Sequence, residues 1–279
     1  MSSHPVSTEV SFLNPPRGSL RFDGVLSPNG PSGTIEDMEI TSNTFIPRKV
    51  DQVVDEGRPA FDAASDLYSA KIDIDHITRL LSLGLLGKKR KLVPTRWSIT
   101  ASDDMIGKAL FEKALDMPFL SDCLLFSGER LQNHFEILLM PLPYRFELVE
   151  IWMARSAWSP EEAWIGSDRE EIHGKKEYSH LAGGYYAARL AALEGLIRMG
   201  RQAAILALRE IRPAYWAPLG VWVVREAARA AMSSRPERFS TAEEALAAAA
   251  GRMQTPMRDW RPYAESLSRP SQMTLASFL

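Results

Sequence analysis

From Pro59 onward, apolar residues recur at helical spacing. Phe61, Ala64, Leu67 and Tyr68 fall at i, i+3, i+6 and i+7, and Pro59 suits a first helical turn. A second helix is predicted over residues 75–83, with Ile77, Leu80 and Leu81 on one face and Gly84 as its stop. A third is predicted over 103–115, where Asp103 and Asp104 give an acidic first turn that complements the helix dipole. The period then changes: residues 122–128, 135–140 and 146–153 are short apolar runs between turn residues, which predicts a meander. Polar residues 158–176 predict a boundary or long loop. Over 184–199 a helix turns Leu190, Leu193 and Ile197 inward and Glu194 and Arg198 outward as an i, i+4 pair. The continuous apolar run 203–208 suits a buried strand that delivers Arg209 and Glu210 at its end. Helices over 221–232 and 241–250 follow. Residues 1–50, rich in Pro, Gly, Ser and Asn, predict loops with a few strands, and Pro256, Pro262 and Pro270 predict a broken tail.

These elements predict an α+β fold with a central antiparallel sheet and helices grouped mainly in the C-terminal half. The expected divisions are 1–176, 177–255 and a tail over 256–279. Composition excludes a collagen, a coiled coil, a disulfide scaffold and a wholly disordered chain: of 279 residues, 45% are hydrophobic and 24% charged. The single cysteine, Cys123, predicts a reducing, cytoplasmic setting and cannot alone build a zinc site. No apolar stretch is long enough to span a bilayer, so no membrane partner is expected. The net charge of −2 is unevenly spread. Residues 177–279 carry 13 Arg and no Lys against 9 Asp and Glu, whereas residues 1–176 carry 20 cations against 26 acids.

Several segments carry candidate chemistry. Arg79, Lys88, Lys89, Arg90, Lys91 and Arg96 lie in an interval without acids between Asp75 and Asp103. Such a run is either a solvated basic loop with a buried tryptophan or a contact for phosphate, nucleotide or DNA, with Trp97 as a stacking platform. Asp103 and Asp104 read first as the start of a helix, and alternatively as ligands for Mg²⁺ or Mn²⁺ beside bound phosphate. On a strand, Glu147 and Glu150 face opposite ways, so Glu147 shares its face with Val149 and needs a partner, expected to be an arginine of the basic loop or the C-terminal half. Gly183 and Gly184 open a helix where backbone amides can approach an anion. Arg189, Arg209, Glu210, Arg225 and Glu226 either converge with them on a pocket or form buried ion pairs. The five histidines show no metal spacing, and no phosphate-loop or hydrolase-elbow motif occurs. Finally, Gln272, Leu275, Phe278 and Leu279 reproduce the pattern of a peptide that docks on a DNA sliding clamp: one tight turn groups Leu275 and Phe278 as an apolar plug while Gln272 hydrogen-bonds beside it.

Taken together, the run Lys91-Leu92-Val93-Pro94-Thr95-Arg96-Trp97-Ser98-Ile99-Thr100-Ala101 with Asp103-Asp104, the run Gly183-Gly184-Tyr185-Tyr186-Ala187-Ala188-Arg189-Leu190, Arg209-Glu210-Ile211 and Pro218-Leu219-Gly220-Val221-Trp222-Val223-Val224-Arg225-Glu226 resemble the signature of the archaeal Nre family of DNA repair proteins. The resemblance spans nearly the whole chain. It implies a role in archaeal DNA damage repair in association with a PCNA-type sliding clamp, with DNA or a nucleotide as a further partner. Family members typically end in a clamp-binding peptide, as Gln272 to Leu279 does here. Many also carry an N-terminal cysteine cluster read as a zinc finger; this chain starts inside that region, and no zinc is expected in it. The resemblance implies no catalytic residues. A clamp-recruited repair factor is therefore expected first, then a metal-dependent enzyme on nucleic acid or a nucleotide, and then a non-catalytic adaptor.

Overall fold

A computed structural model describes residues 1–157, 159 and 161–265. Residues 1–109 with 218–221 make one compact unit, and the remaining described residues from Leu110 on make a second. In the first unit, β1 (Thr8–Phe12) and β2 (Ile35–Ile40) pair antiparallel as a two-stranded ribbon. Three short helices follow: α1 (Arg48–Glu56), α2 (Ala60–Ser69) and α3 (Ile74–Ser82). Their buried residues recur at helical spacing, Val50, Val53 and Val54 on α1, Ala63, Ala64 and Leu67 on α2, and Ile74, Ile77, Leu80 and Leu81 on α3. Asp73 caps α3, its carboxylate accepting from the Asp75 amide at 2.8 Å.

The next helix, α4 (Thr95–Leu115), starts eight residues ahead of the expected position. Pro94 provides its first turn, the Pro94 carbonyl accepting from the Trp97 and Ser98 amides at 2.8 and 3.0 Å. Asp103 and Asp104 therefore sit in the body of a helix and not at its start, which overturns the capping reading. The opening turns of α4 carry no single apolar stripe, so hydrophobic spacing did not mark them.

The second unit is built on six strands: β3 (Cys123–Arg130), β4 (Asn133–Met140), β5 (Arg145–Trp152), β6 (Trp164–Glu170), β7 (Ala204–Ile211) and β8 (Glu237–Phe239). Their order is β6-β5-β7-β4-β3-β8, and β5 runs parallel to β7 while every other pair is antiparallel. The expected purely antiparallel sheet is thus corrected to a mixed one. The meander fails at β5, because the chain turns back through β6 and crosses over α5 (Ala182–Met199) before β7 inserts between β4 and β5. A parallel neighbour requires such a crossover. The predicted loop over 158–176 contains β6, whose polar composition suits an edge strand. The expected grouping of helices is corrected too, since α1 to α4 all precede this sheet.

Helices cover both faces of the sheet. Phe146 of β5 meets Tyr185 of α5 edge to face, and a Cβ on Gly128 of β3 would lie 2.6 Å from Ala231 of α6 (Trp222–Met232). On the other face Cys123, Leu125, Leu138, Met140, Val149, Ile151, Leu206 and Leu208 pack with Ala245, Leu246 and Ala249 of α7 (Ala242–Ala250). Thr241 and Glu244 close a capping box at the start of α7. The prolines beyond Met253 do not end the packed structure: Pro256 precedes α8 (Met257–Trp260), and Trp260 is fully buried in the same cluster.

Trp260→Ala is expected to cost about 3–5 kcal/mol, the range for emptying a large aromatic site. Trp260→Phe should cost clearly less, because the indole N–H has no hydrogen-bond partner among the described residues. Denaturant unfolding of the two variants measures the difference.

Candidate functional site

Two polar clusters of the second unit are built where α5 crosses the sheet. Arg209 projects from β7 toward α5, and the parallel register sets Glu150 of β5 beside it. Arg209 Nη1 donates to Glu150 Oε1 at 2.5 Å, and Nε and Nη2 donate to Asn133 Oδ1 at 3.1 and 2.5 Å. The guanidinium lies 5.5 Å from the Trp152 ring centroid, a cation–π distance. Gly184 roofs this pair. A Cβ there would approach Glu150 Oε1 to 2.8 Å, which is why the first turn of α5 carries glycine.

The second cluster lies farther along α5 and β5, where Glu170 pairs with Phe146. Arg189 of α5 donates to Glu170 of β6 at 2.8 Å, and Tyr144 Oη donates to the other oxygen of Glu170 at 2.9 Å. Burial, reinforced by the Glu170 charge, pushes the Tyr144 and Tyr185 phenols far above their usual range, so both stay neutral; Tyr144 donates to Glu170, while the Tyr185 hydroxyl has no hydrogen-bond partner among the described residues. Asp168 accepts from Lys175 Nζ at 2.6 Å and Ser179 Oγ at 2.5 Å. Burial alone would raise its carboxyl; the hydrogen bonds from Lys175, Ser179 and the Arg169 amide outweigh that and hold it below the ordinary carboxylate value.

The remaining candidates of this unit serve other contacts. Glu210, one residue from Arg209, points to the opposite face, where it accepts from Arg212 and from the Gln254 and Thr255 amides. Glu147 also lies on that face and accepts from the Glu265 amide at 3.0 Å, with Arg169 as its cross-strand neighbour on β6. Glu226 joins Arg229, which grips Glu194 through two hydrogen bonds and so ties α6 to α5. Arg225 is buried on α6.

The first unit presents a different surface. Residues 85–94 form a strap returning from α3 to α4. The Val93 amide and carbonyl both bond Ser82, at 3.0 Å each, and a Cβ on Gly84, at φ +70°, would meet the Lys91 backbone at 2.5 Å. Arg90 is anchored to the Val54 carbonyl at 2.8 Å. Lys88, Lys89 and Lys91 are exposed, and none of them ion-pairs among the described residues. Trp97 is 67% exposed, not the buried tryptophan of the alternative reading. Arg96 donates to Asp23 at 2.5 Å while its side chain stays 52% exposed. Asp104 pairs with Lys108 at 2.7 Å, and Asp103 is fully buried. Among the described residues no three His, Cys, Asp or Glu group as a metal site, and no helix is long and apolar enough to cross a membrane.

Gly184, Arg209, Glu150 and Asn133 thus converge, Arg189 and Glu170 form a cluster farther along α5 and β5, and Lys91, Arg96 and Trp97 belong to the first unit. Spacing gave no signal for Asn133 or Tyr144. Glu150 was visible as a charge inside an apolar run, but its partner was not. Gln272, Leu275, Phe278 and Leu279 lie outside the described residues.

Comparison with known proteins follows these same segments. The family description Archaeal Nre, N-terminal, matches residues 1–159, and Archaeal Nre, C-terminal, matches residues 170–278. The chain belongs to the archaeal Nre family. Relatives of this Nre chain include the DNA repair protein NreA of Archaeoglobus fulgidus, 44% identical over 276 residues, covering 98% of this chain and 68% of the relative. The DNA repair protein NreB of the same organism is 36% identical over 277 residues, covering 99% and 71%. The DNA repair protein NreA of Haloferax volcanii is 35% identical over 238 residues, covering 82% and 57%. No solved structure matches.

For this Nre chain, Arg209→Met is expected to destabilise the fold by about 3–5 kcal/mol, since it strands the Glu150 carboxylate. Pairing it with Glu150→Leu should recover much of that loss in denaturant unfolding. The depressed Asp168 carboxyl gives a pH signature. Its stabilisation is complete above the unfolded-state value of about 3.9 and is lost as pH falls through the lower folded value. Asp168→Asn should therefore flatten the acid limb of the stability profile below about pH 4.

Proposed function

We propose that this Nre-family chain is a DNA-repair factor that contacts DNA phosphates through the strap of its first unit and meets the sliding clamp through residues 272–279. One observation carries the DNA part: Lys88, Lys89 and Lys91 stand exposed without an ion pair among the described residues, in an interval that holds no acid from Asp75 to Asp103. Such cations release counterions when they meet a polyanion, the main source of sequence-independent affinity for DNA. Arg189 and Arg209, by contrast, are buried against Glu170 and Glu150, so the proposed phosphate contact rests on the strap, with the half-exposed Arg96 beside it. Three relatives bearing the name DNA repair protein support the process. The spacing of Gln272, Leu275, Phe278 and Leu279 supports the clamp contact. The proposal assigns Asp103 and Asp104 no metal and names no reaction.

Replacing Lys88, Lys89 and Lys91 together by Ala should weaken binding to duplex DNA and lower the slope of log affinity against log salt by about 2–3, close to one per lost phosphate contact. An unchanged slope in a fluorescence titration would remove the strap from the interface. For the clamp, the full chain should bind and a chain lacking residues 271–279 should not; equal binding by calorimetry would exclude recruitment through this peptide.

A further inference from the structure

The geometry of the strap points to a narrower substrate: we infer that Trp97 stacks on an unpaired base, so that the basic segment takes single-stranded DNA in preference to duplex. This rests on the DNA-contact reading above and deepens it. Trp97 stands 67% exposed in the first turn of α4, and Leu92 on the strap is 79% exposed. No ring or cation contact of Trp97 occurs among the described residues, in contrast to Trp152, whose ring already faces Arg209. The scaffold beneath the indole is fixed at three points: the Pro94 carbonyl under the first turn of α4, the two Val93–Ser82 hydrogen bonds, and the close passage of Lys91 over Gly84. The ring is thus presented by a rigid support and pays little ordering entropy when it meets a flat partner.

Charge then chooses the partner. An apolar protein surface would be met by a contiguous apolar patch. Here the exposed ring and Leu92 are interspersed along the chain with Lys88, Lys89 and Lys91, with no acid in the interval, while Arg96 pairs with Asp23. That combination suits a polyanion whose bases are free to leave the stack. In duplex DNA the base faces are covered by their neighbours, and a protein meets only phosphates and groove edges, so an indole face gains nothing there. The cations serve both forms, while the indole serves only the single strand.

The test compares the full chain, Trp97→Ala, Trp97→Phe and the triple lysine variant by fluorescence anisotropy. The probes are a labelled single strand of about 20 nucleotides, several times the smallest single-strand binding sites, the same sequence as a duplex, and the ribo-oligomer of that sequence. Trp97→Ala is expected to weaken single-strand binding about tenfold, the scale of one lost base stack, with duplex binding and both salt slopes unchanged. Trp97→Phe should keep most of the single-strand affinity, because it keeps an aromatic face. Equal affinity of Trp97→Ala and the parent for the single strand overturns the stacking contact, as does equal loss on both DNA forms. Tighter binding of the ribo-oligomer overturns the assignment to DNA. A triple lysine variant that binds both DNA forms like the parent defeats the underlying DNA reading; one that loses both while Trp97→Ala loses neither defeats the stacking alone.

Discussion

β7 lies inside the sheet, with β4 hydrogen-bonded on one side, β5 on the other, and helices over both faces. All eight of its residues are buried. Six of them are aliphatic and meet that constraint without cost. Arg209 and Glu210 do not, and because strand neighbours point to opposite faces each has to be neutralised separately. The parallel register supplies Glu150 to Arg209, and antiparallel β4 supplies Asn133. On the other face Glu210 is held by Arg212 and two backbone amides of the segment leading into α8. Desolvating an ion costs several kcal/mol unless its partners are already in place. The placement of β5 beside β7 and the docking of residues 254–260 are therefore tied to the same strand: the first supplies Glu150 to Arg209, and the second supplies two of the donors that hold Glu210.

This constraint explains what could be read from the chain and what could not. The run 203–208 announced a strand covered on both faces, and the helical spacing of Leu190, Leu193 and Ile197 announced its neighbour α5, because burial leaves a periodic record. Strand order leaves none. The segments 122–128, 135–140 and 146–153 looked like consecutive partners, and nothing in their residues says that β7 would arrive between the second and third. The edge strand β6 was hidden by its polarity, and the start of α4 by the lack of an apolar stripe. The candidate residues divide in the same way. Gly184, Arg189 and Arg209 were identified by type and position, yet their carboxylate partners sit far away in sequence, on strands whose order was not legible. Trp97 and the strap lysines were legible as a charge pattern, but only the fold shows which of those cations are spoken for.

The contrast between arginine and lysine along the chain follows from the same physics. Beyond Lys176 every basic side chain apart from histidine is an arginine, and several of them do the one thing lysine does poorly: they fix two acceptors in a plane. Arg229 holds both oxygens of Glu194, Arg252 both oxygens of Glu136, and Arg209 a carboxylate and an amide. Burial would push the Glu136 carboxyl up, but the hydrogen bonds it accepts from His134, Arg252 and Ser127 hold it below the usual range, so Glu136 stays charged at neutral pH. Arg189, Arg209, Arg212, Arg229 and Arg252 are thus matched by carboxylates within the fold, while Arg201, Arg235, Arg238 and Arg258 stand exposed. The strap is the reverse case. Its free cations are lysines, compact point charges on flexible stems that need no fixed acceptor and tolerate many phosphate positions. A chain of nearly neutral overall charge can therefore carry an outward basic surface, because its buried arginines are matched by carboxylates while a few lysines, on a strap whose backbone is held at Gly84 and Ser82, are not.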